Sequence, residues 1–355
     1  MRALTVDAGV PGTLSLRELP DPAPDEGPVL VRTLAVGLCG TDEDIVRAAM
    51  GAAPPGSPHL VIGHENLGRV LSSADAALRP GDLVVGFVRR PDPLPCSACA
   101  AGEWDMCRNG RYTSRGITRL HGFARDRWRC SAGGLLRLDG RLARSGVLVE
   151  PASVVAKAWE QIERISRRAH CDHGRVLITG AGPVGLFAAL MATQRGFETH
   201  VYDVVPSGAK PELVEALGAT YHRTPVADGR PDADILIECT GSPPVIAALL
   251  GLGGPATITC LLGMSPGEAV MPVDVAALNH RLVRLNGVVF GTVNANRRHY
   301  EAAAGALLAA DPAWLDRLVT RRVPIAEYRR AFRREAGDVK VVLDVDEPGA
   351  CQLLS

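Results

Sequence analysis

Arg175-Val-Leu-Ile-Thr179-Gly180-Ala-Gly182-Pro183-Val184-Gly185 decides how this chain folds. A compact apolar run meets a glycine-rich turn, and an alanine-rich stretch from Pro183 to Arg195 continues with helical composition. Strand, tight turn and helix in that order form the first half of a dinucleotide-binding βαβ unit. Gly180 makes the turn, Gly182 lets backbone approach a pyrophosphate, and Gly185 permits close packing of helix on strand. Pro183 and Val184 open the helix, whose first N–H groups and positive dipole end suit phosphate. The next strand, His200-Val-Tyr-Asp203, ends in an acid 23 positions after Gly180. Such an acid hydrogen-bonds ribose hydroxyls and repels a 2′-phosphate, so NAD is the first choice of cofactor; Lys210, close by in sequence, keeps NADP open.

Outward from this motif the chain divides by texture. Downstream, helical Pro211 to Leu217, strand Ala233 to Glu238, and β signals at Ala256 to Cys260 and Val288 to Phe290 continue the alternation of a parallel, doubly wound sheet. Upstream lies a helical stretch over Val155 to Arg168. Before it, the first 150 or so residues are dense in Gly and Pro and carry short runs such as Val29-Leu-Val-Arg, Gly68-Arg-Val-Leu and Asp82-Leu-Val-Val. These read as short strands of a barrel-like antiparallel domain. A helical tail from Tyr300 to Thr320 and a strand at Val339 to Leu343, expected to return to the first domain, close the chain.

The 355 residues suit two domains, and Lys+Arg and Asp+Glu balance at 39 each. A neutral chain gives no electrostatic case for nucleic acid or an anionic membrane surface. The start, MRALTVDAGV, lacks the basic and apolar blocks of a signal peptide, and no apolar run approaches a membrane span, so the expected location is the cytoplasm. Nine cysteines then point to metal or reduced thiols rather than a disulfide framework. Cys130, Cys171, Cys239, Cys260 and Cys351 stand alone and read as incidental thiols.

Chemistry concentrates in the first domain. Cys39-Gly-Thr41-Asp42 and Gly63-His64-Glu65, with Glu150-Pro151 further on, offer a thiolate, an imidazole and carboxylates. Those donor types hold a catalytic Zn²⁺ with one position left open for water or substrate. Thr41, two residues from the thiolate, is placed to handle a proton. A second cluster, Cys96-Ser-Ala-Cys99 and Cys107, has the spacing of a structural zinc loop but three thiolates rather than four. Regular spacing puts the fourth ligand at Pro93; Asp92 and Asp105 are nearby carboxylates. A bound structural zinc and a loop that has lost its metal both remain open. His59, His121, His170, His173, His200, His222 and His280 read as surface or capping residues. His299 differs, because Gly291-Thr-Val-Asn294-Ala-Asn296-Arg-Arg-His299 is polar and emerges at the carboxyl end of a strand, where open α/β sheets bind ligands.

With these residues in hand, the chain resembles the zinc-dependent medium-chain dehydrogenase/reductase superfamily over nearly its whole length, and within it the glucose 1-dehydrogenase family. The likeness rests on Cys39-Gly40-Thr41-Asp42, Gly63-His64-Glu65, Val88-Arg-Arg-Pro-Asp-Pro, Gly116-Ile117 with His121-Gly-Phe, Glu150-Pro151, Lys157-Ala-Trp-Glu and Val293-Asn-Ala-Asn. It implies an α/β protein, with a GroES-like, β-rich catalytic domain over 1–156 and 292–355 and a Rossmann domain over 157–291. It implies Cys39, His64 and Glu150 as zinc ligands, Glu65 as an alternate ligand, Thr41 as proton relay, and Asp42 as orienter of His64. Asn294 is implied near the nicotinamide, and Asn296 and His299 near the sugar. Self-association to a dimer or tetramer follows by the same analogy. Ser114 departs from the pattern: the family carries a glutamate there that binds sugar hydroxyls, so loss of the acceptor re-aims polyol recognition.

The expected activity is NAD(P)-linked oxidation of a sugar or sugar-like alcohol, aldose to lactone in the glucose 1-dehydrogenase manner. An alternative substrate is a cyclitol, aminocyclitol, glycoside or nucleoside sugar. From another class, a non-catalytic nucleotide-binding protein would keep the fold without needing an open metal site.

Overall fold

The computed structural model describes residues 1–170, 174–226, 233–265, 267 and 270–346, so the thiols of Cys171 and Cys351 and the ring of His173 lie outside the described residues. By contacts the chain splits into two compact units. The first takes Met1–Glu150, Ala295–Leu308 and the chain from Val319 onward; the second takes Pro151–Asn294 and Ala309–Leu318.

The first unit is organised by one strand, Val29–Leu38, whose alternate residues Val29, Val31, Thr33 and Ala35 are buried. On one edge it pairs antiparallel with Glu65–Ser73, with register shifts at Leu30/Val31 and Thr33/Ala35 of the kind that bends and coils a strand. On the other edge it pairs first with Arg127–Cys130, through Val29 to Arg32, and then with Val341–Asp344, through Ala35 to Leu38. The closing strand therefore does return to the first unit. Leu83–Gly86 and Leu135–Arg137 extend the sheet beyond Glu65–Ser73, and Arg321–Pro324 lies outside Val341–Asp344. The core beneath contains Trp128, Phe123, Leu60 and Leu343. This is the β-rich, GroES-like architecture expected from the short strands upstream of the glycine turn.

The second unit holds a six-stranded parallel sheet in the order Thr220–His222, Glu198–Tyr202, Arg175–Thr179, Ile235–Glu238, Ile258–Leu261, Val288–Gly291. Arg175–Thr179 comes first in sequence and lies inside the sheet, so strand order reverses beside it, as in a doubly wound dinucleotide fold. Helix Pro183–Gln194 is buried from Gly185 to Ala192, which explains its nearly uniform apolar composition.

Two boundaries differ from the sequence reading. Helix Val149–Ser166 starts earlier than Val155, and Trp159 within it stacks on Phe197 at 5.4 Å, so the second unit begins near Pro151. The tail read as one helical stretch is two helices, Arg297–Leu308 and Pro312–Leu318, separated before Pro312. The second of these belongs with the Rossmann sheet, because Trp314 Nε1 donates to the Leu213 carbonyl at 2.8 Å.

Candidate active site

Three strands assemble the metal donors. Val29–Leu38 delivers Cys39 just past its end, Glu65–Ser73 begins with Glu65 opposite Gly37, and Val341–Asp344 enters with Lys340 beside Leu38. Gly37 has to be glycine, since a Cβ there would lie 2.0 Å from Glu65 Oε2. Cys39 caps the short helix Gly40–Val46: its N–H donates to Asp42 Oδ2 at 3.1 Å, and its Sγ accepts from Thr41 N at 3.3 Å. The same cap sets Asp42 Oδ1 3.4 Å from His64 Nδ1, while His64 Nε2 sits 3.1 Å from Cys39 Sγ.

One donor atom each from Cys39, His64 and Glu65 lie within 4.8 Å of one another. His64, Asp42 and Glu65 are buried. Glu150 is not in that cluster, but its carboxyl is coupled by charge to His64, Glu65, Lys340 and Asp42, and burial foremost pushes its pKa up to about 7. The His64 imidazole is raised well above its ordinary value: burial opposes protonation, and the neighbouring Cys39 and Asp42 outweigh it. A pocket of acids and thiol that drives its own histidine toward the cation is short of positive charge, and a divalent ion of Zn²⁺ type fits that donor set. Thr41 is half-buried and next to the thiol, as the sequence suggests.

Lys340 is the residue that sequence reasoning missed. It is buried, with Nζ 2.7 Å from both Glu65 oxygens and 3.0 Å from the Leu38 carbonyl. Burial alone would lower its pKa, but Glu65 foremost and Cys39 and Glu150 hold it raised. Its one signal was a lysine inside an apolar alternation, Val339-Lys-Val-Val-Leu.

The thiol loop also closes: Cys96, Cys99 and Cys107 bring their sulfurs within 4.8 Å. Arg108 N donates to Cys96 Sγ at 3.3 Å, and such backbone bonds bring that thiol down to about 6, whereas burial foremost pushes Cys99 up to about 11. Among the described residues no fourth His, Cys, Asp or Glu joins them. Of the two nearby carboxylates, Asp92 accepts from Leu94 N and Asn109 Nδ2, and Asp105 accepts from Asn296 Nδ2 at 2.7 Å through Oδ1.

Asn296 and His299 are both buried, and Asn296 N donates to His299 Nδ1 at 3.1 Å. Their polar groups are thus used on Asp105 and on the backbone rather than on the metal donors. Ser114 is buried on the strand Thr113–Arg115, opposite Arg89, whose guanidinium lies 3.5 Å from the centre of the Tyr112 ring. His200, read as a surface or capping residue, is instead buried, bridging Glu198 and His222 at 2.9 Å each.

In the second unit the nucleotide turn has the required shape. Gly180 adopts φ +88°, a Cβ on Gly185 would lie 1.8 Å from the Gly180 carbonyl, and a Cβ on Gly182 would meet nothing within 4 Å. That open space at Gly182, with Pro183 starting the helix, leaves room where a pyrophosphate could bind. Asp203 stands beside it, but not as a bare acid. Its Oδ2 accepts from Ala181 N at 2.7 Å and from Lys210 Nζ at 3.1 Å, and Oδ1 accepts from Val205 N at 3.0 Å. Burial would raise its pKa, and these donors more than offset that, holding it below the usual range. Asn294 has φ +69°, and the carbonyl before it, Val293 O, accepts from the buried Lys157 Nζ at 3.0 Å.

Residues 25–140 match the alcohol dehydrogenase GroES-like domain, and residues 143–345 match the glucose dehydrogenase C-terminus. The chain is 36% identical to a glucose 1-dehydrogenase of Methanocella arvoryzae, covering 97% of this chain and 99% of that one. It is 37% identical to a glucose 1-dehydrogenase of Thermoproteus tenax over the same shares. Among solved structures it is similar to a Haloferax mediterranei glucose dehydrogenase in complex with NADP, zinc and gluconolactone, at 30% identity and TM-score 0.91, covering 98% of this chain and all of that one.

Proposed function

The chain belongs to the glucose dehydrogenase family of zinc-dependent medium-chain dehydrogenases, and from that membership we propose that it oxidises an aldose, or a polyol of similar shape, with NAD(P) as hydride acceptor. It is an oxidoreductase of CH–OH groups, and an aldose oxidised at its anomeric carbon yields a lactone. The observation that carries this reading is the gathering of Cys39, His64 and Glu65 in a chain that also has an intact dinucleotide turn.

Zinc held by Cys39, His64 and Glu150, with Glu65 as alternate ligand, would polarise the substrate hydroxyl and stabilise developing negative charge, while the nicotinamide takes the hydride. Asp42, 3.4 Å from His64 Nδ1, would hold the ring with Nε2 on the Cys39 side, the orienting role an acid plays behind a ligand histidine. Thr41 steadies the Cys39 sulfur through its N–H, and its hydroxyl would carry the substrate proton outward. Gly180, Gly182 and Gly185, with Pro183 and Val184, hold the pyrophosphate, and Asp203 the ribose. Asn294, set by Lys157 beneath Val293, lies by the nicotinamide. Asn296 and His299, tied to Asp105 and to each other, shape the sugar side. Ser114 offers a hydroxyl where a carboxylate would grip free glucose, which favours a sugar derivative such as a glycoside, cyclitol, aminocyclitol or nucleoside as a second reading.

Two features support a homo-oligomer, dimer or tetramer, as the working form. Helix Val275–Leu285 has no buried residue, and Val288–Gly291 is an open edge of the parallel sheet. Among the described residues no helix is long and apolar enough to cross a membrane. Among the described residues seven cysteines are free, which fits a reducing cytoplasm.

The test is a panel of aldoses, cyclitols and nucleosides assayed with NAD and NADP on metal-replete protein, alongside His64→Ala. The variant is expected to lose catalytic zinc and turnover together. Unchanged turnover and zinc content in His64→Ala would refute the reading, and inactivity across the whole panel would favour the non-catalytic one.

A further inference from the structure

We propose that Lys210, rather than Asp203, governs cofactor choice: the Asp203–Lys210 pair admits both NAD and NADP, with Lys210 receiving the 2′-phosphate. The proposal rests on the reading of the Gly180–Gly185 turn as the dinucleotide site. An acid selects NAD when its carboxylate is free to accept two ribose hydroxyls and its charge is uncompensated. Asp203 meets neither condition. Its side chain is only 7% exposed, and three donors already occupy it: Ala181 N, Val205 N and Lys210 Nζ. A carboxylate has about four acceptor positions, so roughly one remains for a ribose hydroxyl. Its single negative charge faces a single ammonium 3.1 Å away, which cancels the repulsion a 2′-phosphate would otherwise meet.

Lys210 is suited to a second acceptor. Its side chain keeps 23% of its surface exposed while paired, and an ammonium has three donors, of which Asp203 takes one. Residue usage points the same way. Of the 39 basic residues, all but Lys157, Lys210 and Lys340 are arginines. Lys340 is buried against Glu65 and Lys157 is buried against Val293 O. In a chain whose surface cation is arginine by default, each lysine stands where a compact point charge is held against a specific acceptor. Lys210 is the one of the three whose head still reaches solvent.

The test measures binding rather than turnover: dissociation constants of NADH and NADPH by nicotinamide fluorescence on the metal-replete protein, wild type and variants. The wild type is expected to bind both within about tenfold of each other. A charge-assisted hydrogen bond to phosphate corresponds to about 10- to 100-fold in affinity. Lys210→Met should therefore weaken NADPH by at least about tenfold and NADH by less than about threefold, with Lys210→Arg recovering part of the loss. Asp203→Asn should move the NADPH:NADH ratio toward NADPH, because it leaves the Lys210 ammonium uncompensated, but by less than the loss caused by Lys210→Met. Equal weakening of both cofactors by Lys210→Met would overturn the proposal, leaving Lys210 as a brace for Asp203. So would a swing toward NADPH in Asp203→Asn larger than the NADPH loss in Lys210→Met, which would leave Asp203 as the residue that sets the ratio. Failure of the wild type to bind either cofactor overturns this proposal and the dinucleotide reading together, whereas binding without sugar turnover counts against the reaction alone.

Discussion

Replacing Lys340 by methionine removes the cation that pairs with Glu65 among the described residues. The two side chains are each 2% exposed, with Nζ 2.7 Å from both carboxylate oxygens. Deleting one partner of such a pair leaves a buried, uncompensated charge and costs about 3–5 kcal/mol. At about 2–4 °C per kcal/mol for a domain of 150–250 residues, metal-stripped Lys340→Met should melt about 6–20 °C below metal-stripped wild type. Zinc alters the comparison, because an ion bound by Cys39 and His64 brings positive charge to the same carboxylate. The deficit should therefore shrink when zinc is restored, since the variant gains more from the ion than the wild type does. Scanning calorimetry of both proteins, with chelator and with zinc, reads all four values. Adding Glu65→Gln to Lys340→Met should recover much of the metal-free loss, as neutral replacement of a whole buried pair costs far less than breaking it. A metal-free loss below about 1 kcal/mol, the range of a surface pair, would refute the reasoning. A deficit that zinc leaves unchanged would remove Glu65 from the charge balance of the metal site.

His121 gives an acid-limb prediction. Its Nδ1 accepts from Val61 N at 3.1 Å, and burial first, then Arg125, His59 and Arg115, bring its pKa down to about 4 from 6.5. A folded value below the unfolded one means that its contribution is complete above about 6.5 and is lost as pH falls through about 4. The stability difference between wild type and His121→Gln, from denaturant curves at several pH values, should be level above pH 7 and fall between about 6.5 and 4; a level difference throughout would refute this. For assembly, Val283 is 72% exposed on helix Val275–Leu285. Val283→Glu should shift the sedimentation coefficient toward a monomer, and an unchanged coefficient would remove that face from the interface.

The parts of the fold that were legible in sequence are those set by local rules. Gly180, Gly182 and Gly185 fall between a β-branched run and an alanine-rich one, and both the turn and the parallel order of strands follow from that. The barrel-like strands were legible as a class because turn residues punctuate them, but their partners were not, since pairing depends on register rather than composition. The split of the tail was missed because Trp314 declares its partner only through a hydrogen bond to Leu213, 101 positions away.

The same contrast runs through the site. Cys39 and His64 were found because their neighbours have the local chemistry of ligands: a helix cap, flanking glycines and an adjacent acid. Asp203 was legible too, but its ion pair was not, because an acid in a sequence carries its full charge until a partner is seen. Lys210 supplies that partner from seven positions away, across the start of the next helix. Lys340 reaches Glu65 from 275 positions away, through the pairing of Val341–Asp344 with Val29–Leu38. Ligand identity is thus a local property of this chain, while the charge each ligand presents is a property of its topology. Both compensating residues are lysines, and both sit against an acid that sequence alone would leave bare. The charges at Glu65 and Asp203 are therefore balanced by residues outside the motifs that identify the family.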